Sequence, residues 1–108
     1  MQFKSNCRFT SLQPQAVVAM IVANEVYKNI GKDLVVTSVN DSTHMKGSFH
    51  YTGMAIDLRT NVLTAAQQQS VMAELRSRLT IEYDVILEVD HIHIEYDPKK
   101  SPVAPPIT

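Results

Sequence analysis

Ser48-Phe49-His50-Tyr51-Thr52-Gly53-Met54-Ala55-Ile56-Asp57 and, further along, Asp90-His91-Ile92-His93 are the two stretches that decide how this chain is read. Within the first, residues 54–58 alternate: Met54, Ile56 and Leu58 fall on one face of a strand, Ala55 and Asp57 on the other. In the second, His91 and His93 are two apart, so a strand projects both from one face while Ile92 and Ile94 take the opposite one. The chain has four histidines, and His44, His50, His91 and His93 all lie in or beside these stretches. A zinc site needs imidazole nitrogens and carboxylate oxygens, and a catalytic one keeps three protein ligands and an open position. Two neighbouring strands could direct His50, Asp57 and a histidine of the pair to one point. Two acids compete for a catalytic role, because Glu88 stands three before His91 just as Asp90 stands three before His93. Strand parity puts both acids on the face opposite the histidines, so either needs a bend or bulge to join them.

Outward from these stretches, Val18, Val22, Val26 and Ile30 recur every four residues, with Val17 and Ile21 alongside, which predicts a helix over residues 14–30. Pro14 suits its first turn and Gly31 its stop. Residues 33–39, rich in valine and threonine, read as a strand and residues 40–47 as a polar turn. Thr64 with Gln67 has the capping-box spacing, and Val71, Met72, Leu75 and Leu79 then supply the apolar stripe of a second helix. Strands follow over 83–89 and 91–96, then a proline-rich tail over 98–108. Gly53 suits a sharp entry into its strand. This order predicts one α+β domain over residues 1–97, with a small, mainly antiparallel sheet and two packed helices.

Composition narrows the function classes. A chain of 108 residues with 44% hydrophobic residues has one core, and a formal net charge of -1 gives no basic footprint for nucleic acid. No apolar run approaches the roughly 18–20 residues of a membrane span. The N-terminus lacks the basic-then-apolar layout of a secretory signal. The single cysteine, Cys7, has no neighbour that would lower its pKa and reads as a passive thiol.

The first stretch resembles the Ser-x-His-x-x-Gly-x-Ala-x-Asp signature of the zinc peptidases that include D-Ala-D-Ala carboxypeptidases and L-alanyl-D-glutamate endopeptidases. Asp90-His91-Ile92-His93 is similar to that family's second signature, an acid followed three residues later by the last zinc ligand. Residues 36–57 also resemble the matching region of Hedgehog signalling domains, which share the fold and the zinc site. The resemblance implies one zinc per chain on His50, Asp57 and His93, with Asp90 as the catalytic acid and base and His91 assisting. It places His44 beside the zinc-bound water and Ser48 close to substrate. The implied activity is hydrolysis of peptidoglycan stem peptides through a zinc-activated water. The chain is then expected to be a monomer acting at the bacterial cell wall or periplasm, as a phage or prophage product delivered by other machinery.

Two departures matter. Many of these peptidases carry an upstream arginine that stabilises the oxyanion, and residues 37–41 have none, leaving His44 or Lys46 as donors in that loop. The acidic cluster that binds calcium in Hedgehog domains is reduced to Asp41, so calcium is not expected. Two other functions fit part of the pattern. A non-catalytic, Hedgehog-like domain would keep zinc for structure. A ferrous oxygenase also uses two histidines and a carboxylate, but on a different fold and spacing.

Overall fold

Pro14 opens and Gly31 closes the first helix, α1 (Pro14–Asn29), as its sequence predicts. The computed structural model describes residues 1–5, 7, 14–46 and 49–96, without the side chains of residues 40–54. Gly31 adopts φ 71°, a left-handed conformation that costs glycine little. The Lys32 amide donates to the Tyr27 carbonyl at 3.0 Å and the Gly31 amide to Lys28 at 2.9 Å, the paired bonds of a Schellman stop. The buried stripe of α1 differs from the valine pattern. Ala16, Ala19, Met20, Ala23, Val26 and Tyr27 face the core, whereas Val17, Val18 and Ile21 are exposed. Alanines at three of these positions let the helix backbone lie close to the sheet. Among the branched residues Val26 is buried, Val22 and Ile30 pack partly against the core, and Val17, Val18 and Ile21 turn outward.

The sheet has five strands in the order β1 (Gln2–Phe3), β2 (Val35–Lys46), β3 (Phe49–Arg59), β5 (His91–Tyr96) and β4 (Tyr83–Leu87). Only β1 and β2 run parallel; the other pairs are antiparallel. The second helix, α2 (Ala65–Arg78), starts at the Thr64 box: the Gln67 amide donates to Thr64 Oγ1 at 3.1 Å, and the Thr64 amide to Gln67 Oε1 at 2.9 Å. Both helices pack on one face of the sheet, against Val36, Ile56, Leu58, Val85, Ile92 and Ile94. Burial pushes the Tyr27 phenol up to about 12, and its hydroxyl donates to the Arg59 carbonyl at 2.8 Å, tying α1 to the end of β3. On the opposite face, among the described side chains, lie Asp57, His91, His93 and Glu95.

Residues 40–46, expected as a turn, instead continue β2, paired with β3 from Asn40↔Ala55 to Lys46↔Phe49 without a shift. Polar composition suits a turn, but cross-strand pairing in a long hairpin overrides it. Gly53 lies inside β3 rather than at its entry. Ser48 and the tail over 98–108 lie outside the described residues. Among the described residues no helix is long and apolar enough to cross a membrane. Cys7 is half-buried, its thiol 3.4 Å from the Val36 carbonyl oxygen.

Candidate metal centre

The β3–β5 register sets Asp57 opposite His93 and Arg59 opposite His91. Ile56, Leu58, Ile92 and Ile94 are all buried on the helix side, which commits the alternate residues to the polar face. His93 Nδ1 lies 2.7 Å and His91 Nε2 3.7 Å from the same oxygen, Asp57 Oδ1. One ligand atom from each of the three residues lies within 4.8 Å of the other two, close enough to bind a metal ion. Tetrahedral ligands at about 2.0–2.2 Å from zinc sit roughly 3.3–3.6 Å apart. Binding therefore asks the Asp57–His93 contact to open slightly and His91 to move in a little. The donor set and its spacing fit.

Each imidazole has a carboxylate on its other nitrogen. Asp90 Oδ1 accepts from His91 Nδ1 at 2.7 Å, and Glu95 Oε1 lies 3.2 Å from His93 Nε2. Such partners fix which nitrogen is left to face a metal and make it more basic. Glu95 was not among the expected site residues, yet the signal was present: it continues the period of two from His91 and His93. The parity problem of the two acids is solved by the turn between β4 and β5. The Glu88 amide donates to the His91 carbonyl at 2.8 Å, so Val89 and Asp90 form the bend. From that bend Asp90 reaches His91 from one side, and Glu88 Oε1 stands 3.7 Å from His91 Nε2 on the other.

A bulge shapes the neighbouring strand. The β2–β3 register shifts between Val36 and Ser38, leaving Thr37 as the extra residue. Its hydroxyl donates to the Asp57 carbonyl at 3.3 Å, bracing the backbone of the central ligand.

Of the other expected residues, His50 pairs with Met45 and His44 with Tyr51, both far up the β2–β3 hairpin. Seven residues of strand separate His50 from Asp57, about 23 Å at a rise of ~3.3 Å per residue. The register sets the His50 backbone up the hairpin from Asp57, and among the described side chains it is His91 that meets Asp57 and His93. The side chains of His44 and His50 are not among those described.

The hydrogen bond from His91 holds the Asp90 carboxyl below the ordinary range, so it is an anion at neutral pH. For His93, burial alone would disfavour the charged ring. Hydrogen bonds to Asp57 and Glu95, and the charges of both carboxylates, outweigh burial and raise its pKa. An unfolded histidine titrates at about 6.5, so in the metal-free chain a protonated His93 stabilises the fold. That contribution is complete below about pH 6.5 and is lost as pH rises through the higher folded value. Metal binding has the opposite sign, because the proton on Nδ1 must leave first. The melting midpoint of chelator-treated protein is therefore expected to fall as pH rises above about 6.5, while the rise produced by added zinc grows in the same direction. Both trends should flatten in His93→Gln; their persistence there would assign them to another group.

Comparison with protein-family models, curated proteins and solved structures returns no match to the chain.

Proposed function

We propose that the chain is a zinc-dependent peptidase acting on peptidoglycan stem peptides, with the metal held by Asp57, His91 and His93. The supporting observation is the arrangement of the two imidazoles: their near nitrogens face one carboxylate oxygen, and each far nitrogen meets an acid of its own. A solvated His-x-His strand face requires no such convergence. The substrate class rests on the resemblance of both stretches to the peptidase signatures, as does the Hedgehog/DD-peptidase likeness of the fold. Zinc, when bound there, supplies a Lewis acid that polarises a carbonyl and acidifies water.

The chain's own residues do the rest. The role of acid and base is taken from the second signature, which gives it to Asp90. Here that anion holds His91 Nδ1, the nitrogen turned away from the metal, while Glu88 stands 3.7 Å from the metal-facing Nε2. Glu95 keeps His93 in the tautomer that presents Nδ1, and the buried isoleucines hold both histidines on one face. Thr37 steadies Asp57 through its carbonyl.

A second ligand set is favoured by one observation, the spacing of the first signature, which makes His50 the third ligand in place of His91. It requires β3 to fold back, and Gly53 is the residue between His50 and Asp57 with no Cβ to oppose a bend. Elemental analysis of dialysed variants separates the two. His91→Ala is expected to lose zinc and His50→Ala to retain it; the reverse result would replace His91 by His50. Iron rather than zinc in the wild type would overturn the zinc assignment. Full zinc with no hydrolysis of any muropeptide, followed by mass spectrometry, would favour the Hedgehog-like binding domain.

A further inference from the structure

Beside the metal cluster, at the end of the polar face, lies a cavity of about 300 Å³ lined by Lys4, Thr37, Arg59, Asn61, Asp90 and His91. Ligand pockets span about 300–1,000 Å³, so this one suits a small group. Four chain segments meet there. Lys4 follows β1, where its amide donates to the Val36 carbonyl. Thr37 is the bulged residue of β2, Arg59 ends β3, and His91 opens β5 opposite Arg59.

The donors are of one kind. Arg59 offers a planar fork matched to two carboxylate oxygens, Lys4 a point charge, and Thr37 and Asn61 neutral donors. Among the described residues neither Lys4 nor Arg59 has an ion-pair partner. Asp90, on the rim, is the one acid among the six lining residues. Two cations face one carboxylate within the lining, and Asp57 and Glu88 each stand 3.7 Å from His91 beyond it, so the surroundings favour a monoanion over a phosphate dianion. We propose that this cavity is a carboxylate-binding subsite, in which Arg59 and Lys4 hold the C-terminal carboxylate of a peptide. His91 belongs to both cavity and metal cluster, so the subsite adjoins the proposed reaction centre. Resting on the peptidase reading, this makes the enzyme one that trims residues from a free C-terminus rather than cutting internal bonds.

The probes are N-acetyl-D-alanyl-D-alanine and its C-terminal amide, titrated into the metal-free full chain and followed by NMR. The free acid is expected to shift the resonances of Thr37, Arg59 and Asn61, and the amide to bind at least ~10-fold more weakly. Arg59→Gln should weaken binding of the acid at least ~10-fold and Lys4→Gln severalfold, with Arg59→Lys intermediate. Lys4 lies outside the helices and the core, so its variant remains informative if Arg59→Gln folds poorly. Equal binding of acid and amide, no binding of the acid, or unchanged affinity in both Gln variants overturns the subsite. Zinc-dependent hydrolysis indifferent to the carboxylate would remove the subsite and leave the peptidase standing. Carboxylate-dependent binding without hydrolysis would do the opposite.

Discussion

Asp90→Asn is expected to keep its fold and most of its zinc while losing roughly 10²–10⁴-fold in turnover, the usual worth of a positioned base. The amide is nearly isosteric, and its oxygen still accepts from His91 Nδ1, so the orientation of that ring survives. What disappears is the capacity to take up a proton. Asp90 is largely exposed, with 85% of its side chain accessible, so the substitution leaves no buried group unpaired. Glu88→Gln should be far milder, because the second signature gives the role to Asp90. Since Glu88 stands 3.7 Å from the metal-facing Nε2 of His91 and Asp90 2.7 Å from its far Nδ1, the reverse order of effects would assign the base to Glu88. Steady-state hydrolysis of muropeptides, measured across pH, provides the check. The acidic limb of the wild-type profile should change in Asp90→Asn and persist in Glu88→Gln. Equal turnover of Asp90→Asn and wild type would remove Asp90 from the chemistry.

The second large effect concerns the metal. His93→Ala should abolish stoichiometric zinc after dialysis, since it removes one of the two ligands, Asp57 and His93, that both candidate sets share. Glu95→Gln should be graded instead, with zinc affinity lower by about 10–100-fold, the typical cost of losing an acid behind a ligating histidine. The amide oxygen can still accept from Nε2, but the charge that makes the ring more basic is gone. Competition with a chromophoric chelator measures both. Glu95→Gln with wild-type affinity would show that Glu95 merely lies beside the ring.

Much of this was legible in the sequence, for identifiable reasons. Gly31 and the Thr64–Gln67 box are local signals, decided within a turn of helix, and both helices end or begin where those residues say. The alternation through Ile92 and Ile94 is equally local and assigns His91 and His93 to one face. The burial of α1 was not legible in this way. Its valines form the more obvious periodic set, but the sheet accepts the face bearing Ala16, Ala19 and Ala23, a choice that depends on how closely two surfaces approach. Strand pairing across a long hairpin decided residues 40–46, where composition alone pointed to a turn. The place of Asp57 beside His93 is a matter of register between strands separated in sequence by α2 and β4. No spacing within either stretch states it.

That register makes the site self-checking. Sliding β5 by one residue against β3 would turn His91 and His93 into the helix-covered core and put Ile92 and Ile94 in water. The same slip would dismantle both the apolar layer and the cluster of acids and imidazoles. A misregistered chain is therefore not a stable protein with a damaged site; it fails to fold well before it could bind the wrong ion. The ligand geometry is proofread by the hydrophobic layer beneath it. Sequence change around the cluster is free to alter what the site recognises, provided the isoleucines behind it stay in place.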